Sequence, residues 1–190
     1  MTALRQEDIY LTPEEYLAAE RVSDIKHEYL AGVVYAMAGA SRAHNLIGTN
    51  LIVSLGNQLR GKNCVPLGSD MRLRIRKPGA TFYYYPDVTV DCSGSTEDET
   101  EEPAVIFEVL SPSTHRGDFG DKLLNYQSLA SMRAYVLVEQ ARAAVTVYRR
   151  TADGAWAMQF LGDLESTLEL PEIECALPLR TIYERVLPVA

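Results

Sequence analysis

The chain has 190 residues, 47% hydrophobic and 23% charged, which is one domain's worth of sequence with apolar surface enough for a real core. These proportions exclude a disordered chain or a fibre, and no apolar run approaches the ~20 residues that a membrane-spanning helix needs. A formal net charge of −8 excludes a broad basic surface that grips nucleic acid by phosphate neutralisation alone, though not a narrow basic cleft. Met1 to Tyr10 carries Glu7 and Asp8 and no apolar stretch, so no secretory signal is expected. Three widely spaced cysteines, Cys64, Cys92 and Cys175, then fit a reducing, cytoplasmic setting, with neither a disulfide framework nor a zinc site.

Thr12 can cap a first helix, Pro13 suits its first position and Glu15 completes a capping box, so a helix is expected to about Arg21. His27–Leu30 and Val33–Met37 flank Ala31-Gly32 and read as a hairpin. From Ser41, a periodic apolar stretch (Leu46, Ile47, Leu51, Val53, Leu55, Leu59) predicts a helix of about five turns that ends near Gly61. Short strands follow at Cys64–Leu67, Met71–Ile75, Phe82–Tyr85 and Asp87–Val90, then an acidic loop at Ser93–Pro103. Ala104–Leu110 is almost continuously apolar, as a central strand buried on both faces should be. Asp118–Ala130 reads as a helix, Ala134–Val138, Ala144–Tyr148 and Trp156–Leu161 as strands, and Leu179–Val186 as a last helix. The order predicts a single α/β domain over 1–190, its sheet centred on the strands at residues 87, 108 and 134.

Glu108 is the most informative residue. It interrupts an apolar strand, where an ionised carboxylate is costly unless paired or metal-bound, and it shares a face with Ile106 and Leu110. Its bland reading is a strand-end acid that reaches solvent or an arginine. Asp87 follows Pro86 at a strand start and reads equally as a turn residue. The separation allows the two acids to sit on neighbouring strands, where converging carboxylates suit Mg²⁺ or Mn²⁺. Lys122 shares a helix face with Asp118 and Tyr126, and could place a compact cation beside such an ion or remain a solvated surface group. Glu28 in the hairpin, His44 at the start of the long helix and Arg116 after Ser111-Pro112-Ser113-Thr114 are further candidates. His44 could also simply bond a loop, with close packing possible at Gly48 one turn on, and Arg116 could pair with an acid. Tyr83, Tyr84 and Tyr85 could stack on bases but fit ordinary strand packing better. No phosphate loop, dinucleotide fingerprint, His-Glu-x-x-His or nucleophile elbow is present.

Leu11-Thr12-Pro13-Glu14-Glu15-Tyr16, His27-Glu28-Tyr29-Leu30-Ala31-Gly32, His44, Pro86-Asp87, Phe107-Glu108-Val109-Leu110-Ser111-Pro112-Ser113-Thr114, Asp118, Lys122 and Tyr126 together resemble the Uma-two branch of the PD-(D/E)XK nuclease superfamily. The resemblance covers nearly the whole chain. It implies a restriction-endonuclease-like mixed sheet flanked by helices, with Asp87 and Glu108 as metal ligands. The superfamily lysine two residues after the second acid is replaced here by Leu110, and Lys122 stands where this branch carries a lysine on the following helix. Ala134-Tyr135-Val136 stands in place of the branch's Tyr-Trp pair.

The implied activity is Mg²⁺-dependent (Mn²⁺ also suitable) hydrolysis of DNA phosphodiester bonds, catalysed by Asp87, Glu108 and Lys122, with Glu28, His44 and Arg116 near the site. Arg72, Arg74, Arg76 and Arg116 would line a basic cleft. A homodimer would suit duplex cleavage. The alternatives are a non-catalytic nucleic-acid-binding or regulatory module that retains the fold, and a structural oligomer.

Overall fold

Local chemistry sets the first elements. In the computed structural model, which describes residues 10–110 and 119–187, helix α1 spans Pro13–Glu20. Its start is the capping box: the Glu15 N–H donates to Thr12 Oγ1 at 3.2 Å, and the Thr12 N–H donates to Glu15 Oε2 at 2.7 Å. Strands β1 (His27–Leu30) and β2 (Val33–Ala36) form the hairpin, with φ of 50° at Ala31 and 111° at Gly32. A Cβ on Gly32 would come within 2.7 Å of the Tyr10 ring, so glycine is required twice there. Helix α2 (Arg42–Gln58) begins at Ser41, whose Oγ accepts the His44 N–H at 3.1 Å. Ile47, Leu51 and Leu55 bury one stripe of it. Gly48 brings no close packing, since a Cβ there would meet nothing within 4 Å.

The remaining strands are β3 (Val65–Gly68), β4 (Arg72–Lys77), β5 (Ala80–Tyr84), β6 (Val88–Asp91), β7 (Glu99–Thr100) and β8 (Pro103–Leu110). After α3 (Phe119–Gln127) come β9 (Ala134–Glu139), β10 (Val145–Arg150), β11 (Trp156–Leu161), β12 (Thr167–Leu170), β13 (Cys175–Pro178) and α4 (Leu179–Ile182). Among the described residues, one sheet has the order β11-β10-β9-β8-β6-β3 and a second the order β2-β1-β5-β4-β7, while β12 and β13 pair alone. In the first sheet β8 and β9 are parallel, joined across α3, and the other pairs are antiparallel. The expected centre, β6-β8-β9, is where the sequence places it.

Strand β8 separates two cores by simple alternation. Val105, Phe107 and Val109 join Ile47, Leu51, Leu55 and the β12–β13 hairpin on one side. Ile106 and Leu110 face Tyr84, Tyr126, Tyr135 and Leu137 on the other. Tyr83 closes a third cluster with Tyr16 and Tyr29, their rings 5.0–5.8 Å apart. With Tyr83, Tyr84 and Tyr85 all buried, none is free to stack on a base. No helix among the described residues is long and apolar enough to cross a membrane.

Three expectations change. The acidic loop holds β7, which runs parallel to β4 in the register Arg72↔Glu99. Glu99 and Glu101 therefore pair with Arg72, Arg74 and Arg76, so these arginines line an acidic edge instead of a basic cleft. The last helix stops at Ile182, because the Tyr183 hydroxyl is held between the carbonyls of Glu139 and Ala144 and Arg185 turns to φ 60°. Finally, Cys64 and Cys92 form a disulfide, with Cα atoms 4.0 Å apart. Val65 pairs with Asp91 across β3 and β6, so the two cysteines meet one step further along that ladder. Cys175 is free and buried.

The disulfide closes a loop over a sequence separation of 28, which should stabilise the fold by about 3–4 kcal/mol by constraining the unfolded chain. Urea unfolding with and without a thiol reductant is expected to show a loss of that size, matched by Cys64→Ser. Identical midpoints would mean that the bond contributes nothing in solution.

Candidate active site

The register of β6 on β8 brings the two sequence-separated acids together. Val88 pairs with Phe107, so Asp87 enters one step before that pair, beside Glu108. The Val109 backbone N–H donates to Asp87 Oδ2 at 2.7 Å and fixes the acid to the neighbouring strand. His44, in the first turn of α2, places Nε2 3.2 Å from the same oxygen.

Glu108 faces α3. Lys122 and Tyr126 are one turn apart there and therefore project along one face. The Tyr126 hydroxyl donates to Glu108 Oε1 at 2.8 Å, and Lys122 Nζ lies 3.2 Å from that oxygen. Lys122 Nζ is also 2.8 Å from Oε1 of Glu28, which arrives on β1 from the second sheet. Although that ion pair is close, Glu28 Oε1 is buried without an aligned hydrogen bond. The five ionisable side chains, Asp87, Glu108, Lys122, Glu28 and His44, retain only 13–20% exposure.

Helix α3 is held at both a side and an end. Asn125, buried beside the site, donates from Nδ2 to the Tyr84 hydroxyl at 2.6 Å and accepts from Lys77 Nζ at 2.5 Å. At the C-terminal end, the Arg150 guanidinium on β10 donates to the carbonyls of Gln127, Leu129 and Met132 at 2.7–2.9 Å. Gln127 is the last residue of α3, where carbonyls lack partners within the helix; that of Leu129 also accepts the Met132 N–H. The ring of Trp156 stacks over the same guanidinium at 4.8 Å.

The electrostatics follow from burial. Desolvation pushes the Glu108 carboxyl up to about 7, with Asp87 and Glu28 acting in the same direction and Lys122 and Tyr126 opposing. Burial alone would lower Lys122, but the Glu108 and Glu28 carboxylates outweigh it and hold the ammonium above its ordinary value. The hydrogen bond that His44 donates to Asp87 raises the imidazole against its own desolvation. Burial raises the Tyr126 phenol well above its usual range, so it stays a donor. Lys122 thus keeps its charge, while Glu108 carries more desolvation than one shared lysine can offset.

The fold brings together Asp87, Glu108, Lys122, Glu28 and His44. Arg116, with Ser111–Thr114 and Asp118, lies outside the described residues. The bond from Tyr126 to Glu108 and the brace from Asn125 and Lys77 are additions that sequence reasoning missed. The spacing of Lys122 and Tyr126 carried the signal for the first; nothing local pointed to Lys77. Among the described residues, no three His, Cys, Asp or Glu side chains group closely enough to enclose a metal ion by themselves.

A family model described as "Uma2: Putative restriction endonuclease" matches residues 13–180. Two uncharacterized proteins of Synechocystis sp. are similar to the chain. One is 34% identical over 91% of this chain and 91% of its own length; the other is 31% identical over 78% and 85%. A crystal structure from Anabaena variabilis, described as "a putative nuclease belonging to DUF820", superposes with a TM-score of 0.75 and covers 93% of this chain and 99% of that one. At 14% identity this likeness concerns the fold, which is restriction-endonuclease-like. Matched along most of its length, the chain belongs to the Uma2 family.

Proposed function

We propose that this protein is a metal-dependent endonuclease that hydrolyses phosphodiester bonds in DNA. The observation that carries the reading is the convergence of Asp87 and Glu108, from adjacent strands, with Lys122 beside Glu108. The family description and the nuclease fold support the same direction.

The donor set suits a hard divalent cation. Three carboxylates (Glu28, Asp87 and Glu108) surround one lysine and one histidine, which leaves an excess of buried negative charge. Glu28 Oε1 lacks an aligned donor, and Glu108 is desolvated enough to resist ionisation. A cation held at Glu108 would favour its ionised form. Mg²⁺ requires no all-protein cage, since it keeps several waters and often takes only one or two carboxylates together with substrate phosphate. Asp87 and Glu108 would hold it, and when bound it would polarise a phosphate oxygen and lower the pKa of a coordinated water.

The chain's own groups supply the rest. Lys122 remains protonated and presents a fixed positive charge to the phosphate oxygens as negative charge develops on them. Glu28 and Glu108 both hold that ammonium, so its position is set before substrate arrives. His44 anchors Asp87. The arginines of β4 are already paired with Glu99 and Glu101, so substrate grip would have to come from other groups. Two copies about a two-fold axis would present one site to each strand of a duplex.

Because burial raises Glu108 in the folded chain, its contribution to stability is fully present below the unfolded value of ~4.3 and is lost as pH rises through about 7. In EDTA, urea unfolding should therefore show wild type losing stability relative to Glu108→Gln between about pH 5 and about pH 8. Parallel curves would remove the excess-charge argument. For the activity, wild type is expected to cleave plasmid, linear or single-stranded DNA with Mg²⁺ or Mn²⁺. Asp87→Ala and Glu108→Ala should abolish cleavage, and Lys122→Ala should reduce it by about 10²-fold or more. A wild type that binds the ion and cuts none of these substrates would favour the non-catalytic module, and full activity in Lys122→Ala would remove that residue from the mechanism.

A further inference from the structure

The two acids are held in the same asymmetric way. On Glu108, Oε1 takes both the Tyr126 hydroxyl and the Lys122 ammonium. On Asp87, Oδ2 takes both the Val109 N–H and His44 Nε2. Among the described residues nothing donates to the second oxygen of either group, Glu108 Oε2 or Asp87 Oδ1. Neither of these is a sealed orphan: Glu28 Oε1 is among the buried side-chain atoms without a hydrogen-bond partner, and these two are not.

We infer that Tyr126 and His44 are positioning residues that commit one oxygen of each acid to the protein, leaving Glu108 Oε2 and Asp87 Oδ1 as a pair of one-oxygen ligands for a small divalent cation. This rests on the metal-dependent reading above and adds which atoms bind and what holds them. A free carboxylate turns easily about its last torsion and can offer one oxygen or both. An acid already bonded through one oxygen has lost that freedom before the ion arrives, so less ordering is required on binding. The choice also discriminates between ions. Mg²⁺ and Mn²⁺ suit single oxygens in a compact octahedral shell, whereas Ca²⁺ tolerates bidentate carboxylates and irregular geometry. Tyr126 suits this task because its side chain is fully buried. Its ring is wedged edge-on against Tyr84 and Tyr135, with centroids 5.3 and 5.1 Å away, which fixes where the hydroxyl points.

The test is calorimetric titration of the full chain, stripped with EDTA and dialysed, with Mn²⁺ and separately with Ca²⁺. Tyr126→Phe removes one hydroxyl and is expected to weaken Mn²⁺ binding by about 10-fold while weakening Ca²⁺ less, so that the preference between the ions narrows. His44→Ala should do the same through Asp87, and His44→Gln, whose amide can donate to the same oxygen, should recover most of the loss. Unfolding in EDTA checks that each variant is folded, and the His44 pair carries the test if Tyr126→Phe is not. Wild-type Mn²⁺ affinity in Tyr126→Phe and His44→Ala, alongside lost binding in Glu108→Gln, would overturn the positioning role and leave the metal site standing. Equal loss for both ions would reduce Tyr126 to a structural part. A wild type that takes up no Mn²⁺ at millimolar concentration would overturn both this inference and the reading beneath it.

Discussion

A carboxylate set into the middle of a buried strand dictates what must surround it. Glu108 cannot be hydrated like a surface acid, and an unpaired buried charge would cost several kcal/mol. The neighbouring elements answer that demand. Helix α3 contributes Lys122 and Tyr126 from one face, and the lysine in turn requires Glu28, which arrives on β1 of the other sheet. One costly charge thereby ties the two sheets and the crossover helix together. The compensation is incomplete, since desolvation still holds Glu108 above the ordinary carboxylate range. A carboxyl perturbed by burial beside specific charge partners marks a candidate functional position.

The rest of the chain spends its charge differently. The acidic segment around Glu97–Glu102 reads in isolation as a solvated loop, yet Glu99 and Glu101 neutralise three arginines along β4. Any nucleic acid would meet a face already paired there. With a net charge of −8, binding of arbitrary nucleic acid by phosphate neutralisation should be weak.

What the sequence made legible was mostly what short-range chemistry decides. The capping box at Thr12–Glu15, the Ala31-Gly32 turn and the apolar stripe of α2 depend on neighbours within a few residues, and they form where expected. The apolar run around Glu108 identified the central strand and its face. The grouping with Asp87 and Lys122 came from the family resemblance as well as from pattern. What stayed hidden depends on register. Cys64 and Cys92 look unrelated until β3 lies beside β6, and Arg72 meets Glu99 only because β7 joins β4 in parallel. The β12–β13 hairpin left a trace in the alternation of Leu168 and Leu170 with Thr167 and Glu169, but it was too short to stand out from its surroundings. Gly48 shows the opposite error, a glycine given a packing reason that its open surroundings do not need.

The grip of Arg150 on the last carbonyls of α3 has a mechanical side. The helix is fastened at its C-terminal end to β10, so any tilt would turn about that end like a lever about its fulcrum. Tyr126 sits almost at the fulcrum, while Lys122 lies a full turn, about 6 Å, further out along the arm. The carboxylates of Glu28 and Glu108 brace the lysine at that distance, so the arm is tied down at both the fulcrum and its outer part.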